Sequence, residues 1–106
     1  MNAENDLQSK MWSSRGFTLH TTKSGNYYLL MEFSESAFIV RDAVSTFQIP
    51  SDRGRLKVYA RNRDLCQMVG QPREVCGIEA LEALIESWRY EAFRPVAHIH
   101  VRNCHP

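Results

Sequence analysis

The sequence lacks the features that identify membrane and secreted proteins. No apolar run approaches the roughly 20 residues of a transmembrane helix. The first 15 residues have no apolar centre of the kind found in secretion signals. There is no N-x-[ST] glycosylation site, and the 3 cysteines are an odd number without framework spacing. We therefore expect a cytoplasmic protein in a reducing environment, with no membrane partner.

The common signatures of catalysis are also absent. The chain has no P-loop, no G-x-G-x-x-G, no H-E-x-x-H and no G-x-S-x-G, and its 5 glycines are isolated. Nucleotide-dependent catalysis is therefore not expected. Cys76 precedes a predicted helix, where the helix dipole stabilises a thiolate. Because free cysteine is among the most frequently buried residues, we expect a packed, inert Cys76 and no enzyme.

Charge is distributed unevenly along a chain whose net charge is only +1. Residues 1–52 carry 4 basic and 6 acidic side chains, and residues 64–106 carry the same numbers. Residues 53–63 carry 5 basic side chains and no acidic one. The chain is thus slightly acidic outside one local cationic segment, and local fields steer partners more than net charge does.

The cationic segment alternates with a period of two. Its odd-numbered positions are Arg53, Arg55, Lys57, Tyr59, Arg61 and Arg63, and Leu56, Val58 and Ala60 lie between them. In a β-strand successive side chains point to opposite faces. The pattern therefore predicts a strand over residues 53–63, with one face on the core and a cationic face that contains an aromatic side chain.

This basic face is the strongest indication of function. We expect a small non-catalytic binding or regulatory protein that docks the face on an acidic protein surface or a nucleoprotein machine, and modulates or inhibits it. A direct nucleic-acid-binding protein is an alternative, because alternate strand residues lie about 6.5–7 Å apart, close to the spacing of phosphates. A further alternative pairs these cations with Glu32, Glu35 or Asp42 on a neighbouring strand. A homodimer formed through the sheet would enlarge the surface.

The C-terminal residues offer a candidate metal site. In strand geometry His98, His100, Arg102 and Cys104 share one face, and H-x-H can place two imidazoles on one zinc ion with Cys104 as a third ligand. A zinc-binding protein or metal-assisted enzyme is therefore another alternative. A half-exposed strand explains the same pattern, and Arg102 is a poor neighbour for a divalent cation. We expect no other cofactor.

The remaining pattern predicts an α+β fold. Residues 1–15 form a polar arm, in which only Leu7, Met11 and Trp12 anchor a short turn, and residues 16–106 form a single domain. We expect a hairpin (17–22 with 27–33), a strand over 37–49 for which a helical stripe is an alternative, a short helix over 63–69, a long helix over 78–93 and a final strand over 96–104. The result is a mainly antiparallel sheet of four or five strands in the order β-β-β-β-α-β, with the long helix on one face.

Overall fold

The computed structural model describes the backbone of residues 3–93 and the side chains of residues 6–91. The elements are α1 (Ala3–Ser14), β1 (Thr18–Thr21), β2 (Tyr27–Glu32), β3 (Ser36–Asp42), β4 (Arg55–Asn62), β5 (Gln67–Met68), β6 (Arg73–Cys76) and α2 (Ile78–Phe93). All strand pairs are antiparallel. The fold is therefore α+β, as predicted. Neither helix is long and apolar enough to cross a membrane among the residues described.

Strands β1 to β4 form a meander, in which each strand pairs with the next. The order is β1-β2-β3-β4, and both β5 and β6 pair with β4. Met68 lies opposite Arg61 and Arg73 lies opposite Val58, so residues 69–72 face only Tyr59 and Ala60. Such an excess of residues on one strand is a bulge. The edge beside β4 is thus two short strands separated by a bulge.

One face of the sheet, the inner face, carries the core. Register places Leu29, Val40 and Val58 side by side across three strands. Trp12 from α1 and Trp88 from α2 belong to the same buried cluster as these side chains. Both helices therefore lie on the inner face, and neither covers the opposite, outer face within the described residues.

The helix α2 has the predicted bounds and the predicted apolar stripe. Leu81, Ile85 and Trp88 are buried, because their spacing of three and four residues aligns them on one side of the helix. The Trp88 ring meets the Phe38 ring edge to face at 6.0 Å. Gly77 precedes the helix with φ of 85°, a left-handed conformation that glycine adopts without steric cost.

The N-terminal residues form a longer element than the short turn predicted for the polar arm. α1 spans 12 residues, and Trp12 is fully buried against the Phe17 ring, 5.2 Å away and edge to face. The Trp12 indole nitrogen donates a hydrogen bond to the carbonyl oxygen of Pro50. Because Pro50 lies 38 residues away, the sequence around Trp12 alone gives little indication that Trp12 is buried.

The predicted short helix over residues 63–69 was wrong. Residues 63–66 form a turn, and β5 follows it and pairs with β4. The side-chain oxygen of Asn62 accepts a hydrogen bond from the Leu65 amide, 3.0 Å away. Asn62 therefore caps a turn and not a helix. Cys66 completes that turn with φ of 55°.

Two other strand predictions need adjustment. The strand predicted over residues 37–49 is β3, which ends at Asp42, and an irregular loop follows. β6 was not predicted, although it pairs with half of β4. The final strand predicted over residues 96–104 lies outside the described residues.

Candidate functional site

The alternating cationic segment is strand β4, and its two faces are divided as predicted. Leu56 and Val58 are fully buried on the inner face, and Ala60 is nearly so. The opposite side chains of the strand, on the outer face, are Arg55, Lys57, Tyr59 and Arg61. Arg53 and Arg63 lie in the turns at either end, because β4 is shorter than the predicted strand. The stripe of β4 therefore contains three of the predicted cations and the tyrosine.

The register across the sheet places a row of apolar side chains beside Tyr59. Leu30 lies opposite Ile39, and Ile39 lies opposite Tyr59. All three point to the outer face and are half-buried by their neighbours. We call Leu30, Ile39 and Tyr59 the central row. Its position means that the outer face has an apolar centre, not a uniformly charged surface.

A second row, on one side of the central row, combines aromatic and basic groups. His20 and Tyr28 are paired across β1 and β2, and their rings stack with centroids 5.0 Å apart. The guanidinium carbon of Arg41 lies 5.3 Å from the centroid of the Tyr28 ring. Tyr28 lies between His20 and Arg41 in the strand order, so its ring is packed from both sides. Lys57 continues this row on β4, with its nitrogen 6.0 Å from the Tyr59 ring.

Only some of the five cations between Arg53 and Arg63, which we call the basic stripe, form ion pairs with neighbouring carboxylates. Arg55 forms an ion pair with Glu74 at 3.3 Å, and Arg63 approaches Glu32 at 3.9 Å. Among the described residues, Arg53, Lys57 and Arg61 have no ion-pair partner. The predicted alternative, in which neighbouring acids satisfy the stripe, therefore accounts for a minority of these cations.

The acids named in that alternative have mixed roles. The Glu35 carboxylate accepts a hydrogen bond from the Ser34 hydroxyl, and this contact and its own backbone amide lower the pKa of Glu35. The Asp42 carboxylate accepts hydrogen bonds from the amides of Val44 and Ser45. Of the predicted three, only Glu32 approaches a cation of the stripe.

The edges of the sheet are poor sites for adding a further strand. β1 has 4 residues, and the opposite edge is interrupted by the bulge at 69–72, where Gly70 has φ of 69° and Pro72 lacks an amide hydrogen. Short strands, bulges and prolines are the usual means of blocking edge-to-edge association. Binding of a further strand at either edge is therefore disfavoured, which leaves the outer face as the surface to consider for a partner.

Cys76 is exposed, contrary to the buried thiol predicted for it. It ends β6 opposite Arg55, so its side chain lies on the outer face. Asp52, Arg53 and Glu79 line the hollow beside it at the start of α2. The described residues that line this hollow include neither a histidine nor a second cysteine.

The predicted zinc ligands His98, His100 and Cys104 lie outside the described residues. Within residues 3–93, no group of three histidine, cysteine or carboxylate side chains is arranged to hold a metal ion. The zinc hypothesis therefore stays a prediction.

Sequence reasoning missed two features of the surface. Leu30 and Ile39 belong to strands with apolar side chains on both faces, so the pattern did not show which ones face outward. Val44 and Phe47, in the loop after β3, have exposed fractions of 71% and 64%. They were assigned to the strand over residues 37–49, where alternation would have buried one of them. No protein-family model, curated protein or solved structure matches this chain.

Proposed function

We propose that this protein is a non-catalytic docking protein, which binds the acidic surface of a larger protein or nucleoprotein assembly through its outer face and modulates or inhibits that assembly. The observation that carries the proposal is the central row with cations around it. Leu30, Ile39 and Tyr59 supply the apolar centre, and Lys57 and Arg61 flank Tyr59 along β4. An apolar centre within a polar rim is the usual anatomy of a protein–protein interface.

The central row favours a protein partner over a nucleic acid. A strand of bases is held by successive aromatic rings that stack on it, together with cations along the backbone. On the outer face Tyr28 is already packed by His20 and Arg41, and Leu30 and Ile39 are aliphatic. Of the described aromatic rings on this face, Tyr59 alone would then serve as a stacking ring. The aliphatic pair is better matched by the apolar centre of a protein surface.

The charges of the outer face support an acidic partner. Lys57 and Arg61 have no ion pair within the described part of the chain, so binding would not first have to break one. Exposed cations contribute mainly to the rate and specificity of association, while burial of apolar centres such as the central row supplies more of the affinity. Binding should therefore weaken with salt without being abolished.

The test is affinity capture from nuclease-treated cell extract, followed by titration of the purified partner. The variant carries Lys57→Glu and Arg61→Glu. The control carries Lys10→Glu and Lys23→Glu, which change the net charge equally at exposed lysines of α1 and of the β1–β2 turn. We expect the first pair to abolish capture and the second pair to preserve it, with both variants folded by circular dichroism.

Two other outcomes decide against the proposal. If nuclease removes the bound material, and labelled oligonucleotides bind directly with a log-log salt slope that falls by about one unit per cation replaced, the partner is nucleic acid. If both double variants capture the partner as wild type does, the outer face is not the docking surface.

A further inference from the structure

The loop that joins β3 to β4 exposes two large apolar side chains. Val44 and Phe47 are 71% and 64% exposed, among the highest values for large hydrophobic residues in the described chain. An exposed aromatic side chain is a frequent anchor of protein interfaces, where it fills a pocket on the partner.

The loop is held in place by hydrogen bonds on both sides of these residues. Near its start, the Asp42 carboxylate accepts the amides of Val44 and Ser45 at 3.0 and 2.9 Å. The Ser45 hydroxyl oxygen in turn accepts the Phe47 amide at 3.1 Å. The two apolar side chains are therefore presented on an ordered turn that has one preferred geometry.

The middle and end of the loop are fastened to other elements. Thr46 accepts a hydrogen bond from the Tyr27 amide with its carbonyl oxygen, 2.7 Å away, and its hydroxyl donates to the Asn26 side chain. Beyond it, Pro50 is buried and accepts the hydrogen bond of Trp12. Such fixation reduces the conformational entropy that is lost on binding.

The loop contacts the start of β4, at Arg55. The Ala43 amide donates a hydrogen bond to the carbonyl oxygen of Arg55, 3.0 Å away. The first residue of the loop is thus in direct contact with β4, whose Arg55 side chain lies on the outer face. A partner that covers the start of the basic stripe is within reach of this loop.

We propose that Phe47, assisted by Val44, is an anchor that inserts into an apolar pocket bordered by carboxylates, on the same protein partner that binds the outer face. This inference rests on the proposed function and adds that the partner's surface contains an apolar pocket bordered by carboxylates. A protein pocket is favoured over a lipid surface because hydrogen bonds hold the loop in one geometry. A pocket of matching shape gains affinity from that geometry, whereas fluid acyl chains accommodate an apolar side chain in any geometry. The carboxylates follow from the first two cations of the segment: Arg53 has no ion-pair partner among the described residues, and Arg55 pairs with Glu74 only at the exposed surface.

The experiment measures the dissociation constant of the captured partner for single variants of the full chain. Phe47→Ala is expected to weaken binding at least about 10-fold, as truncation of an interface anchor does. Leu7→Ala is the matched control, since Leu7 on α1 is 68% exposed, and it should leave the affinity unchanged. Asp42→Ala, which frees the loop amides, should also weaken binding, and Asp42→Asn, which still provides an acceptor oxygen, should restore much of it.

The outcomes separate this inference from the proposed function. If Lys57→Glu with Arg61→Glu abolishes binding while Phe47→Ala leaves it unchanged, the outer face is the docking surface and the anchor is disproved. If none of these variants affects binding, both proposals fail. The remaining experiment measures co-sedimentation of the protein with vesicles of phosphatidylcholine, with and without phosphatidylserine. Co-sedimentation that is lost in Phe47→Ala would identify the loop as a membrane contact and disprove the proposal of a protein pocket.

Discussion

The indole nitrogen of Trp12 donates a hydrogen bond to the carbonyl oxygen of Pro50 across 2.9 Å, and both residues are buried. The bond fastens α1 to the segment immediately before β4. It also fixes the position of Pro50, at the end of the loop that carries Val44 and Phe47. The N-terminal helix is therefore part of the support for the basic strand and its neighbouring loop.

Trp12→Phe is predicted to destabilise the protein because it removes both volume and this hydrogen bond. We expect the free energy of unfolding to fall by about 2–4 kcal/mol, measured by urea denaturation. Trp88→Phe is the control for lost volume, since Trp88 is equally buried in the core. Trp12→Phe should cost about 1 kcal/mol more, the contribution of a buried hydrogen bond. Equal losses would contradict a stabilising role for the bond.

Ser36→Ala is predicted to stabilise the protein. The Ser36 side chain is fully buried on the inner face, and its hydroxyl has no hydrogen-bond partner among the residues that the structure describes. An unsatisfied buried hydroxyl costs about 1–3 kcal/mol, which the methyl group of alanine avoids. The midpoint of urea unfolding should therefore rise, while Ser24→Ala, at an exposed turn position, should not change it. A fall in stability for Ser36→Ala would show that the hydroxyl is satisfied.

The ion pair between the two helices predicts a pH-dependent stability. Arg15, which follows directly after α1, donates two hydrogen bonds to the Glu82 carboxylate on α2, at 3.1 and 2.8 Å. The hydrogen bond from Arg15 is the main cause that lowers the pKa of Glu82 in the folded state. A depressed folded pKa contributes stability above the unfolded value of about 4.3, and this stability is lost as the pH falls through the folded pKa.

Glu82→Gln should therefore reduce stability near neutral pH and have no effect in strong acid. Both side chains are more than a third exposed, so the loss should be small and should shrink further at high salt. Glu86→Gln is the control, since Glu86 lies on the same helix and has no ion pair among the described residues. Thermal unfolding as a function of pH provides the measurement. A loss that persists unchanged in acid would contradict the assignment.

The elements that the sequence predicted well are those with a strict period. α2 was found because its apolar residues recur every three or four positions, and β4 because its cations alternate with Leu56, Val58 and Ala60. Each pattern is contained within its own element. The inner and outer faces of β4 could therefore be assigned without knowledge of any other strand.

The elements that were missed depend on contacts with distant parts of the chain. α1 has few apolar residues, and its Trp12 is buried by partners that lie far along the chain. A short helix was predicted over residues 63–69, but Gln67 and Met68 pair with β4 instead. The central row became visible only when register placed Leu30 and Ile39 beside Tyr59.

Photo-cross-linking from the outer face measures whether a partner binds there. A benzoylphenylalanine is placed at position 59, in place of Tyr59, and in a second protein at position 90, in place of Tyr90, an exposed tyrosine on α2. We expect the captured partner to cross-link from position 59 and not from position 90. A bound partner that cross-links from position 90 alone would contradict this expectation.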